Sequence, residues 1–229
     1  MTVGSHQPYL FPYIGYWQLM NLADVYVISD SMQYIKKGFV NRNYLLVDGK
    51  RHRFSLEVMG VKSKSSIDEV EVGHNAKKIL NTIFHAYKKA PYFTTTYPLI
   101  EEILLYQEKS LAKFLGHSIQ RIAYALEITP KFIYLSDLQG KTELCGQAKT
   151  IDICQRLQAN HYINAIGGES LYDKRDFEEV SIQLNFLKSD EIRYQQFQNS
   201  PIPNLSIIDI MMFNSKDEIG RMLQKYVLL

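Results

Sequence analysis

His6-Gln7-Pro8-Tyr9-Leu10-Phe11-Pro12-Tyr13-Ile14-Gly15-Tyr16 stands where a simple turn would serve, between the short run Thr2 to Ser5 and the helically spaced segment Gly15 to Leu22. Its two prolines fix the backbone and each removes a donor. Val25-Tyr26-Val27-Ile28 follows as a strand. Strand, loop, short helix and strand make a β-loop-α-β unit. So brief a helix favours parallel pairing, with the His6 loop at the carboxyl end of the first strand, where open α/β sheets place ligands. A stiffened loop would hold His6, Gln7, Tyr9, Tyr13 and Tyr16 at a defined edge, as a pocket of pre-aimed polar groups requires. The plainer reading has the aromatics filling the core. Gly15 allows backbone or ligand to approach closely.

Asp30 is expected at the same edge as His6, after the second strand. Beyond it, Ser29 to Tyr34, with Gln33, and then Asn41-Arg42-Asn43 are too rich in hydrogen-bonding groups for a plain connector, and read as a second wall. Arg42 can hold a carboxylate or phosphate through two donors, and Asn41 and Asn43 can both donate and accept. Alternatively, Arg42 pairs with Asp30 in a structural salt bridge.

Tyr44 to Val47 and His52 to Val58 alternate around Asp48-Gly49, a hairpin signature. Ile67 to Val72 reads as a further short strand. Asn75 to Lys89, Tyr97 to Gln107 and Leu111 to Glu127 read as helices, giving a helical section around 74–127. A second βαβ unit follows: strand Phe132 to Ser136, a helix over Gln147 to Leu157, and strand Tyr162 to Ala165. Gly140-Lys141-Thr142-Glu143 lies where an anion could meet free backbone donors, but it lacks the upstream glycine of a phosphate loop. Gly167 and Gly168 follow the last of these strands and permit close backbone approach to a ligand. Ile182 to Leu187 and Tyr194 to Phe197 are strand-like. Ser206 caps a helix, and Lys216 to Tyr226 reads as a closing helix.

The 229 residues fit one α/β domain spanning 1–229, an open, mainly parallel sheet with flanking helices, a hairpin insertion and the helical middle. A net charge of +2 gives no concentrated basic face, so nucleic acid is not an expected partner. Cys145 and Cys154 fall on one helical segment, too few and too close for a disulfide framework or a zinc site. His74, His85 and His117 lack metal-ligand spacing, and no metal is expected. Neither an export signal nor a membrane-spanning run is read, so no membrane insertion and a cytoplasmic setting are expected.

No Ser-His-Asp order, HExxH or dinucleotide fingerprint is present. The candidate acid/base groups are His6 and Asp30, since a histidine near a carboxylate can take a proton from an amine or hydroxyl nucleophile. The layout from Gln7-Pro8 through Pro12 to Tyr16 resembles the HIGH-type nucleotidyltransferases in spacing, with tyrosines where their histidines stand. That likeness speaks for the fold more than for adenylyl transfer.

More closely, His6 to Tyr16 resembles the opening segment of the WbqC-like proteins. The likeness continues through Asp24, Asp30 to Tyr34, Asn41-Arg42-Asn43, Ser136-Asp137-Leu138, Tyr162, Gly167-Gly168, Tyr172, Tyr194-Gln195 and Leu205 to Asp209. The resemblance implies a setting in bacterial surface-polysaccharide, O-antigen and lipopolysaccharide, biosynthesis. Such a setting needs enzymes that make nucleotide-activated sugars, transfer sugars, or decorate amino sugars with acyl or aminoacyl groups. The leading expectation is a transferase modifying a nucleotide-linked amino sugar, with the sugar nucleotide and an acyl or aminoacyl donor as its small-molecule partners. His6 or Asp30 would accept the proton, Arg42 would hold an anionic group, and Tyr9, Tyr13 and Tyr16 would shape the pocket. A nucleotidyltransferase-like enzyme and a non-catalytic sugar-binding or assembly protein are the rival readings.

Overall fold

The computed structural model describes residues 1–138, 144–197 and 200–229. The Gly140 to Glu143 stretch lies outside the described residues. The opening unit forms as expected: strand β1 (Thr2–His6), helix α1 (Ile14–Leu22) and strand β2 (Val25–Ile28), with β1 and β2 parallel from Val3 opposite Val25 to His6 opposite Ile28. The hairpin β3 (Arg42–Val47) and β4 (Lys50–Ser55) turns at Asp48 and Gly49, both at positive φ, which suits the right-handed twist of the flanking strands. Val58–Met59 (β5) and Glu71–Val72 (β6) make a small ladder of their own. Helices α2 (Ala76–Tyr87), α3 (Phe93–Leu104) and α4 (Leu111–Ala125) fill the middle. Then come β7 (Lys131–Tyr134), α5 (Gly146–Arg156), β8 (His161–Ala165), α6 (Lys174–Glu178), β9 (Gln183–Ser189), α7 (Ile207–Phe213), α8 (Lys216–Leu223) and β10 (Tyr226–Leu228).

The main sheet has six strands in the order β10-β9-β8-β1-β2-β7, parallel except for β10 against β9. Numbered by their sequence within this sheet, the strands run 3-2-1-4-5-6 from the β7 edge, the doubly wound Rossmann-like order. The winding reverses between β1 and β8. There the connections leave in opposite directions and a crevice opens at the carboxyl ends, just beyond His6 and Ala165.

Both faces of the sheet are covered. Trp17, Leu19 and Met20 of α1 join the helical middle and α7 and α8 in the larger core, while Val3, Val27, Phe177 and Phe186 pack with Cys154 of α5 in the smaller one. Helix α1 has little amphipathic character because it is buried from Ile14 to Met20. Gln18, fully buried, donates through Nε2 to the carbonyls of Met222 (2.8 Å) and Lys225 (2.9 Å), which also accept from the Lys225 and Asp190 N–H groups respectively, and so ties α1 to the end of α8.

Several segments differ from their sequence patterns. Helix α3 starts at Phe93 and takes in Thr94 to Thr96, ending at Leu104 instead of Gln107, and the strand expected to reach Ser136 ends at Tyr134 in a 3-10 turn. Over Ile67 to Val72, Glu69 reaches back to the Ser66 N–H at 3.1 Å and starts a 3-10 turn, leaving Glu71 and Val72 as strand. The closing helix stops at Leu223, and Tyr226–Leu228 turns back as an edge strand on β9. Tyr194 to Phe197 joins no ladder, because the side chains of Tyr194 and Gln196 are drawn onto Asp209 instead. Among the described residues no helix is long and apolar enough to cross a membrane.

Candidate functional site

The loop after β1 is held by side chains from distant parts of the chain. Phe11 is fully buried at φ +45°, a left-handed conformation that costs a bulky residue free energy. Its carbonyl accepts from Asn43 Nδ2 at 2.6 Å and from Ser206 Oγ at 2.9 Å. Asn43 also donates to the Leu10 carbonyl at 3.0 Å, and the Leu10 N–H donates to Val40 at 2.9 Å. The Pro12 carbonyl accepts from the Trp17 indole and from the Ile207 N–H, each at 3.0 Å. The loop is thereby pinned to the start of β3 and to the capped end of α7. At Gly15, an added Cβ would lie 2.5 Å from the Tyr13 hydroxyl, so this glycine lets Tyr13 fold back over the first turn of α1.

Held in this way, His6, Gln7, Tyr9, Tyr13 and Asn43 line a cleft of about 910 Å³ at the reversal of the sheet's winding. Its other lining comes from Phe39, Arg51 of β4, Ile166 beyond β8, Lys188 to Ile192 at the end of β9, and Pro203-Asn204. The His6 ring meets Tyr9 and Tyr16 at centroid distances of 5.8 and 5.3 Å, and Tyr9 stands edge-on to Tyr16 at 5.0 Å. Tyr16 lies beneath the cleft, its hydroxyl buried without a full hydrogen bond. Burial pushes the phenols of Tyr9, Tyr13 and Tyr16 above the usual range, so they act here as neutral hydroxyls.

His6 has one ring nitrogen committed. Nδ1 lies 2.9 Å from the Gln7 carbonyl, which can only accept, so Nδ1 carries the hydrogen and Nε2 the lone pair. Burial lowers the imidazole below the ordinary histidine value, against a smaller opposing effect of that hydrogen bond. The ring is therefore a neutral base with Nε2 unbonded among the described residues.

The remaining candidates from the sequence go elsewhere. Asp30 is 4% exposed, and both its oxygens are taken by Ser136: the N–H at 3.0 Å and the hydroxyl at 2.6 Å. It faces a separate hollow of about 370 Å³ with Tyr134, Gln120 and His117, not the His6 cleft. Gln33 is exposed and bridges to Ser66. Asn41 accepts from Tyr34 at 2.9 Å and donates to the Leu56 carbonyl at 2.6 Å, a buried structural tie. Arg42 stands beside the Tyr34 hydroxyl, outside the cleft lining; among the described residues it makes no ion pair with Asp30. Gly167 and Gly168 open the 3-10 turn Ile166–Leu171 beside the cleft, with space free at Gly167 and the Asn164 side chain against Gly168.

Arg51, Lys188, Asp190 and Asn204 were not legible as cleft residues. Lys188 had a usable signal, since it directly follows the expected strand Ile182 to Leu187 and lies near the carboxyl end of β9, one strand beyond β8 at the reversal point. Arg51 had none, because only the folding of the hairpin over the loop brings it there.

A carboxylate under the far wall completes the architecture. Asp209 of α7 is fully buried and accepts from Tyr87 Oη at 2.7 Å, Tyr194 Oη at 2.5 Å and Gln196 Nε2 at 2.6 Å. Gln196 also exchanges hydrogen bonds with the Ile202 backbone, at 3.1 and 2.7 Å. Tyr194 and Gln196, which lie in sequence between the cleft residues Asp190 to Ile192 and Pro203-Asn204, are thus anchored on one acid.

Set beside known proteins, the chain is matched over residues 7–221 by a family model, that of the WbqC-like protein family. An uncharacterized protein of Mycobacterium tuberculosis is 26% identical over an alignment of 209 residues, gaps included, that covers 87% of this chain and 88% of that one. No solved structure matches the chain.

Proposed function

We infer, from the premise that this chain belongs to the WbqC-like protein family and from the cleft it builds, that the protein is a transferase using His6 as its proton acceptor. The substrate is a nucleotide-linked amino sugar of surface-polysaccharide biosynthesis, and the group transferred is acyl or aminoacyl. The observation that carries this reading is the state of His6, neutral, with Nδ1 committed to Gln7 and Nε2 bare in the crevice at the reversal of the sheet. As the sugar amine attacks the acyl carbon, its proton passes to Nε2. The same proton then goes to the departing group of the donor, so the imidazole ends as it began. Tyr9, Tyr13 and Phe39 offer aromatic faces against which a sugar ring and its linker can lie. Asp30 has no part in this step, its oxygens being spent on Ser136.

Incubating the pure protein with nucleotide-linked amino sugars and activated acyl or aminoacyl donors, followed by mass detection of the adduct, tests the reading. Product is expected with the wild type and a loss of about a hundredfold or more in rate with His6→Ala. Equal product from both would remove His6 from the chemistry. The aromatic lining also suits a sugar-binding protein without turnover, which would saturate with the sugar nucleotide and form no adduct with any donor.

A further inference from the structure

We propose that Arg51 and Lys188 form a diphosphate-binding subsite in the His6 cleft, which rests on the reading of that cleft as a sugar-nucleotide site. Both line the same hollow, yet they come from unrelated elements, the β3–β4 hairpin and the end of β9. Neither makes an ion pair among the described residues. Two unneutralised cations lining one cleft are a site for a ligand with two negative charges.

Their chemistry favours phosphate. The Arg51 guanidinium carbon lies 3.8 Å above the Tyr44 ring, which orders the flat group while leaving its in-plane N–H donors available for paired phosphate oxygens. Lys188 adds a mobile point charge. Two acids share the lining. Glu191 is neutralised by Arg193 at 2.8 Å, whereas Asp190 makes no ion pair among the described residues. The cleft therefore has both signs: cations for a diphosphate, and Asp190 for the ammonium or hydroxyls of the attached sugar. Arg42, the arginine that sequence pattern suggested for this role, stands outside the lining.

The experiment is a calorimetric titration with inorganic pyrophosphate at low ionic strength, where surface electrostatics are least screened. Binding by the wild type is expected, weakened about tenfold or more in Arg51→Gln and in Lys188→Gln. Asp190→Asn should bind severalfold more tightly, because a like charge leaves the site. The remote surface change Lys78→Gln should bind as the wild type does. All the charges altered in this set are on exposed side chains, so unchanged melting temperatures serve as the folding check. Absence of pyrophosphate binding by the wild type overturns the proposal, as does unweakened binding by both cation variants, or equal weakening by Lys78→Gln. A failure to find transferase product would leave this titration untouched, so the two readings fail separately.

Discussion

The carboxyl edge of the sheet carries two hollows, one beyond β1 and β8 and one beyond β2 and β7, and they differ in what their polar groups have left to give. In the second, the Asp30 carboxylate spends both oxygens on Ser136, and its main-chain carbonyl accepts from Asp68 at 3.2 Å. Tyr134 is pushed up to about 12 by burial, with the Asp30 charge adding to it, and so stays a phenol. In the first, the backbone is equally well tied, through Asn43, Ser206 and Trp17, but the ties end on main-chain carbonyls. The side chains that face the cleft keep unspent capacity: His6 Nε2, Arg51 and Lys188. A carboxylate with both oxygens bonded and an imidazole with one nitrogen unbonded among the described residues thus lie at the ends of neighbouring strands, distinguished by their partners.

The sharpest way to break this contrast is to exchange the consequences of the two residues. His6→Ala should lower kcat/KM by a factor of about 10² to 10⁴, a far larger effect on rate than the loss of one local hydrogen bond and the contacts with Tyr9 and Tyr16 has on stability. Asp30→Asn should do the reverse. It should leave the rate within a few fold and cost about 1–3 kcal/mol in urea unfolding, because a buried charge-assisted pair is lost. Equal rate losses in the two variants would make the hollows parts of one site.

Between these two in size comes Asp209. Replacing it by Ala leaves three buried donors, on Tyr87, Tyr194 and Gln196, without their acceptor, and should cost about 3 kcal/mol. Because the segment it anchors ends in the cleft lining, KM should rise more than kcat falls. A variant as stable as the wild type, with unchanged KM, would show that the far wall holds itself.

The pattern of strands and short helices made the sheet legible, because each β1-α1-β2-like unit announces itself locally by period and length. The parallel pairing of β1 with β2 was expected from the brevity of the helix between them, whereas the order of all six strands is read only from the structure; His6, Gln7, Tyr9 and Tyr13 were placed from the end of the first strand. Side-chain allegiance did not. Nothing near Asp30 in sequence indicates that Ser136, on the far side of the helical middle, will claim it. Nor does the alternation of β4 disclose that Arg51, exposed on its hairpin, hangs over the loop of β1. Tyr194 to Phe197 misled for the same reason: its β-like composition was overridden by one buried carboxylate contributed by α7.

A pH series separates the cleft base from the wall acid by sign. In the proposed reaction His6 works only as the neutral imidazole, so kcat/KM should be flat above the ordinary histidine value of 6.5 and fall on acidification with a midpoint below it. A midpoint above 6.5 would mean a charge near the ring outweighs its burial.

The smallest expected effect concerns Asp209, whose acid burial raises above the ordinary 3.8, against three donors that favour the anion. An acid with a folded value above its unfolded one binds its proton more tightly when folded. Its contribution to stability is therefore fully present below the unfolded value and is lost as pH rises through the folded one. Asp209→Asn removes that titration, so the stability gap between wild type and variant should widen as pH is lowered from about 7 to about 4.5. The slope is bounded at about 1.4 kcal/mol per pH unit for a single proton. Urea unfolding of both proteins across that range measures it. A gap that narrows instead would mean that Tyr87, Tyr194 and Gln196 together outweigh burial. The far wall of the cleft would then rest on a carboxylate stabilised by its three donors.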